Sequence, residues 1–182
     1  MLVRQMKHKT TTMKKFILVF LLGFLCSCKA QKPLSETSPI LSSECPTDGT
    51  CEIEILKNKQ LLLLYDDFGG MYYDLKDHEG TTVIHYQYNK TTQANLQDGH
   101  YREDLIFEIK NSDKSLKLSD LALQETKLIF GRHCFCRGET GYFKVEKGSL
   151  LLENTKEGQQ LQVEFTVGKI PQLITQIKAN FN

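Results

Sequence analysis

From residue 45 onward, apolar and polar positions alternate with a period of two, the signature of strands with one dry and one wet face. Cys51, Ile53 and Ile55 alternate with Glu52 and Glu54; Ile84, Tyr86 and Tyr88 alternate with His85 and Gln87. Leu105, Phe107 and Ile109 alternate with Ile106 and Glu108, and Leu161, Val163, Phe165 and Val167 with Gln160, Gln162, Glu164 and Thr166. Leu61 to Leu64 is a continuous apolar run, consistent with a buried strand, and Leu173, Thr175, Ile177, Ala179 and Phe181 close the chain. Turn residues separate these runs: Asp67 to Gly70, Glu79-Gly80, Asp98-Gly99, Gly138, Gly141, Lys147-Gly148, Glu157-Gly158 and Gly168-Lys169. Their spacing, often about ten residues, predicts hairpin-linked antiparallel strands. Ser119 to Thr126 fits one short turn of helix capped by Ser119, and fits a strand equally well through Leu121 and Leu123. The expected fold is all-β: an antiparallel sandwich or small barrel of about eight to ten strands.

The amino-terminal part is different. Lys14 and Lys15 precede an apolar run, Phe16 to Leu25, interrupted only by Gly23, and then come small residues and cysteines. The run is about ten residues, whereas a spanning helix needs about 20. It therefore reads as a secretory signal. Leu25-Cys26-Ser27-Cys28 resembles the lipobox of bacterial lipoproteins, and Cys28 fits the lipidated position better than Cys26, which follows bulky Phe24 and Leu25. Met13 reads as the start of a signal of ordinary length. The resemblance implies cleavage after residue 27 and acyl chains, palmitate among them, on Cys28. It also implies a membrane anchor in the bacterial envelope. Lys29, where an Asp retains such proteins in the inner membrane, points to the outer membrane, on its periplasmic or surface side. Residues 29 to 44, rich in Lys, Gln, Ser, Thr and Pro, read as a flexible tether. The expected organisation is thus a signal over 1–27, a lipidated tether over 28–44 and an all-β domain over 45–182.

Without residues 1–27 the chain has 155 residues, one domain's worth, with 18 basic against 22 acidic side chains. That mild acidity, without a basic stripe, speaks against a nucleic-acid partner. Cys45, Cys51, Cys134 and Cys136 are an even set in an exported chain and read as disulfides. In an extended strand, residues two apart lie about 6.5 Å apart, at the edge of disulfide reach, which disfavours a direct Cys134–Cys136 bond. The expected pairing joins Cys45 and Cys51 each to one of Cys134 and Cys136. The alternative is a local Cys45–Cys51 loop with Cys134 and Cys136 as thiols.

His133, Cys134 and Cys136 form the densest reactive cluster, a weak candidate for a thiolate–imidazole metal site or a redox dithiol. In a regular strand His133 faces away from both sulfurs, so structural disulfides are favoured and no metal or cofactor is expected. His78, His85 and His100 stand at no ligand spacing. Tyr65 to Asp74 lacks the calcium-loop spacing and reads as a hairpin turn rather than a calcium or sugar site. Tyr72, Tyr86, Tyr88, Tyr101 and Tyr142 are candidates for a binding face, Tyr being favoured at interfaces. There is no Trp, so the Gly-x-Trp signature of lipocalins is missing. No nucleophile elbow, phosphate loop, zinc-protease helix or dinucleotide fingerprint is present. The reading is a non-enzymatic envelope lipoprotein whose domain binds a protein or small-molecule ligand or serves structurally. The alternatives are an inhibitor or scavenger that protects the envelope, like the lysozyme-blocking lipoproteins by analogy, and the metal or redox protein.

Overall fold

The computed structural model of the chain describes residues 39–93, 96, 98–156 and 158–181. The signal, Cys26, Cys28 and tether residues 29–38 lie outside the described residues. Ten strands follow in order: β1 (Ile40–Leu41), β2 (Gly49–Tyr65), β3 (Met71–Lys90), β4 (Tyr101–Lys110), β5 (Ser115–Ser119), β6 (Ile129–Cys134), β7 (Gly141–Lys144), β8 (Lys147–Thr155), β9 (Gly158–Thr166) and β10 (Gln176–Phe181). They form two antiparallel five-stranded sheets, ordered β1-β10-β9-β8-β5 and β2-β3-β4-β6-β7. The architecture is an all-β sandwich, not a closed barrel. β1 pairs with β10 through Ile40↔Asn180 and Leu41↔Ala179, so sheet structure begins ahead of Cys45, inside the stretch expected to be tether. Asp120–Thr126 is a 3₁₀ turn in which the Ser119 side chain makes no capping bond.

The alternation decides what lies between the sheets. Ile84, Tyr86 and Tyr88 of β3 and Leu105, Phe107 and Ile109 of β4 point inward, as do Leu161, Val163 and Phe165 of β9. Phe130 and Phe165 meet across the gap with ring centroids 5.8 Å apart. Leu123, from the 3₁₀ turn, is fully buried in the same core.

The β2–β3 hairpin is far longer than the sheet needs, with strands of 17 and 20 residues. Its pairing jumps from Lys57↔Thr82 to Lys59↔Asp77, so Asn58 on one strand opposes four residues, 78 to 81, on the other. Asn58 has φ 56° and Gly80 φ 99°, a bulge that bends both strands at one place. The Glu79-Gly80 pair, expected to be a turn between strands, is therefore a bend inside β3. Beyond it the hairpin folds back over the outer face of its own sheet. Leu61 becomes fully buried against Val83, Ile106 and Ile129, with Leu63, Met71, Tyr73 and Leu75 packed around them. The backbone of Leu61 is held there by side chains. Its N–H donates to Glu108 Oε2 at 2.7 Å, its carbonyl accepts from Lys127 Nζ at 2.8 Å, and Lys127 pairs with Glu108 at 2.6 Å.

The cysteines pair locally. Cys45 is bonded to Cys51 and Cys134 to Cys136, which overturns the expected long-range pairing. The assumption of an extended strand fails at the second pair: β6 ends at Cys134, the chain bends at Phe135, and the two Cα atoms come to 5.2 Å. Residues 46–49 form a turn closed by the Gly49 N–H to Pro46 carbonyl bond, which brings Cys45 back over Cys51.

Candidate functional site

The outer face of the second sheet carries a small polar constellation beside the folded-back hairpin. The register places Gln87 of β3 and Gly131 of β6 on either side of Asp104 of β4. Asp104 is fully buried, yet both its oxygens are occupied. Oδ1 accepts from Gln87 Nε2 at 3.3 Å and lies 3.2 Å from His85 Nε2. Oδ2 accepts from Arg102 Nε at 3.1 Å, and Arg102 Nη2 is ion-paired with it at 3.1 Å. His133 Nε2 lies 2.8 Å from Oδ2, outside hydrogen-bond alignment. Burial alone would raise the Asp104 pKa. The contacts from His133 and His85 and the charge of Arg102 outweigh burial and hold the carboxyl well below the usual carboxylate range.

Tyr142 and Tyr73 form the border of this constellation. Tyr142 stands edge-on to His133, with centroids 5.0 Å apart, and to Tyr73 of the folded-back hairpin at 5.2 Å. Gly131 makes room for that packing: a Cβ there would sit 2.6 Å from the Tyr142 ring and 2.9 Å from His133 Nε2. Burial pushes the hydroxyls of Tyr142 and Tyr73 up, away from acid–base work near neutrality. Asp104 is likewise no free general base, because its lone pairs are committed. Among the described residues no group of three His, Cys, Asp or Glu side chains is placed to hold a metal ion.

The hairpin tip is the second element. Asp66 Oδ1 accepts from the N–H groups of Phe68 at 2.9 Å and Gly70 at 2.7 Å, and Gly69 takes φ 81°. This is an Asx-type turn, which accounts for the Asp-Gly composition. The turn displays Phe68 at 98% exposure, with Tyr65 and Tyr72 half-exposed beside it. Between this tip, β7 and the start of the β9–β10 connection runs a groove of about 700 Å³. Tyr65, Met71, Tyr142, Phe143 and Ile170 give it apolar walls, and Lys144 and Lys147 line it as well.

The structure sorts the candidate tyrosines. Tyr72 is exposed at the tip and Tyr142 lines the groove. Tyr86 and Tyr88 are fully buried between the sheets and cannot form a binding face. Their hydroxyls are satisfied internally: Tyr86 donates to Cys51 Sγ at 3.0 Å and Tyr88 to Asp48 Oδ1 at 2.8 Å. Burial pushes Tyr86 up to about 12 and Tyr88 higher still. Tyr101 is half-buried over Arg132, whose guanidinium carbon lies 5.4 Å from the ring centroid.

His133, Cys134 and Cys136 do not converge. The sulfurs are bonded to each other, and His133 points to the opposite face, toward Asp104. His78 sits in the hairpin bend beside Thr81, at 3.1 Å, and takes no part in the constellation.

Two acidic residues were missed by sequence reading: Asp104, and its neighbour Glu103, which faces the core. Glu103 is buried and accepts from the backbone N–H groups of Leu173 and Ile174, at 2.7 and 2.8 Å, and from Tyr101 Oη at 2.5 Å. The available signal was Arg102-Glu103-Asp104 at the head of an apolar strand, where charges at both parities demand partners on both faces. Set against protein-family models, curated proteins and solved structures, the chain matches none of them. Among the described residues no helix is long and apolar enough to cross a membrane.

Proposed function

We propose that the chain is an envelope lipoprotein whose β-sandwich is a non-enzymatic binding module held to the outer membrane through acyl chains on Cys28. The observation that carries this reading is Leu25-Cys26-Ser27-Cys28 at the end of a basic-then-apolar segment too short to span a bilayer. Two or more acyl chains anchor stably without other membrane contact. About a dozen residues then separate Cys28 from β1, enough to hold a compact sandwich off the surface. The commitment of the Asp104 lone pairs and the raised tyrosine hydroxyls support a binding role over a catalytic one. Metabolic labelling with a clickable palmitate analogue tests the anchor. The wild-type chain takes up label and sediments with membranes, whereas Cys28→Ala loses the label and its hold on membranes. A Cys28→Ala chain that keeps its label would refute the reading.

The hairpin tip favours a second reading, an inhibitor that seats an aromatic tip in the cleft of an envelope-attacking enzyme. Phe68 has almost no contact with its own domain, so Phe68→Ala leaves stability within about 0.5 kcal/mol of wild type. As a hot spot it would carry 2 kcal/mol or more, or about a thirtyfold loss of affinity for a partner. Calorimetry against lysozyme as the probe enzyme checks this, and absence of any complex counts against the inhibitor.

A further inference from the structure

The two disulfides are built for different duties. Cys45 and Cys51 pack against the main core, and the buried Tyr86 hydroxyl donates to Cys51 Sγ. That bond closes over the turn at the start of β2, with both its cysteines part-buried. Cys134 and Cys136 enclose a single residue, Phe135, which is 83% exposed. A bond across so short a span removes little freedom from the unfolded chain and adds correspondingly little stability.

The fold beside the second pair is secured by other means. Cys134 stays in register with Tyr101 of β4. Thr140 Oγ1 donates to the Arg132 carbonyl at 3.0 Å, and Arg132 Nη1 pairs with Glu139 Oε2 at 2.6 Å. The Glu139 N–H donates to the Cys136 carbonyl at 3.2 Å. These bonds between β6 and the turn that leads to β7 do not involve the sulfurs. Arg137 follows Cys136 directly in the chain, and a positive charge beside a cysteine favours thiolate over thiol.

We propose that Cys134–Cys136 is a reversible thiol–disulfide exchange site that accepts two electrons from a dithiol, preferentially one on an extended peptide able to reach the exposed turn. The proposal does not rest on the lipid anchor, which the palmitate label tests separately. A substrate thiolate attacks Cys136 Sγ, the sulfur lying in the turn between exposed Phe135 and Arg137. The new S–S bond forms as the Cys134–Cys136 bond breaks, and Cys134, held in β6, leaves as a thiolate. The second substrate thiolate then attacks the substrate sulfur of the mixed disulfide and expels Cys136. The substrate ends as a disulfide and the protein as a dithiol, and the two protons lost by the substrate thiols are taken up by Cys134 and Cys136.

The test takes the full chain, purified oxidised, through a dithiothreitol series with acid quench, alkylation and peptide mass mapping. Cys134 and Cys136 should be alkylated at about a tenfold lower dithiothreitol concentration than Cys45 and Cys51, with an unchanged circular dichroism spectrum. Stoichiometric oxidation of a synthetic peptide dithiol should accompany it. With glutathione disulfide, Cys134→Ser should hold a stable mixed disulfide at Cys136. Opening of both disulfides together, loss of structure on opening, or no oxidation of the peptide would each overturn the proposal. Slower modification of Cys136 in Cys134→Ser than of Cys134 in Cys136→Ser would overturn the assignment of the attacked sulfur.

Discussion

Glu103→Ala is expected to destabilise the sandwich by about 2–4 kcal/mol. Glu103 sits on β4 in one sheet and accepts from the Leu173 and Ile174 N–H groups in the connection that leads into β10 of the other. It therefore acts as a polar clamp between layers that otherwise meet through apolar side chains. Alanine leaves the Ile174 N–H in a buried place without an acceptor. It also frees Tyr101 Oη, which lies between Glu103 and Arg132, the guanidinium Nε being 3.4 Å from that oxygen. Leu173 is half-exposed, so its N–H regains water and the cost falls short of two full orphaned donors. Glu103→Gln keeps one carbonyl acceptor but turns an amide toward a donor, and should cost about half as much. Urea unfolding of the three proteins gives the ranking, and the clamp fails as an explanation should alanine and wild type agree within 0.5 kcal/mol.

Asp104→Ala should cost about 3–5 kcal/mol at pH 7, since it removes the shared partner of two imidazoles and a guanidinium from a buried position. The pH dependence distinguishes this from simple loss of packing. The folded-state pKa of Asp104 lies below its ordinary value of 3.8, so the folded state holds the proton less tightly than the unfolded chain. Its contribution is complete above the unfolded value and is lost as pH falls below about 4 toward the folded value. The difference between wild type and Asp104→Asn should accordingly be largest near pH 7 and shrink in melts at pH 2.5. A difference that stays constant over that range would mean that the carboxylate charge is not what the site uses.

Much of this architecture can be read in the chain because its strands face water on one side. β9 is the clearest case, with Leu161, Val163 and Phe165 buried and the residues between them in contact with solvent. The strands that confuse the pattern are those the hairpin covers. Val83 next to Ile84, and Ile106 between Leu105 and Phe107, are buried at both parities because their sheet is packed on both faces there. Alternation also cannot say which parity is inside, and that is how Tyr86 and Tyr88 could be taken for surface residues. His85, Asp104 and His133 meet only because β3, β4 and β6 are neighbours, while β5 has crossed to the other sheet. Nothing local to any of the three records that crossover. The Cys134–Cys136 bond was hidden for the opposite reason: a one-residue bend undoes an estimate that assumes a straight strand.

The Cys45–Cys51 bond also sets the route by which tension enters the domain. A pull on the chain ahead of residue 39 first meets β1, held to β10 by two paired residues and by the Ser42 and Ser43 N–H groups on the Lys178 carbonyl. Past β1, the load reaches Cys45 and crosses covalently to Cys51, bypassing residues 46–50, and arrives near the end of the long β2–β3 pairing, at the Cys51↔Tyr88 pair. The amino-terminal turn thus works as a strain relief: the weak pair can peel away while the hydrogen-bonded ladder behind it bears force as a unit.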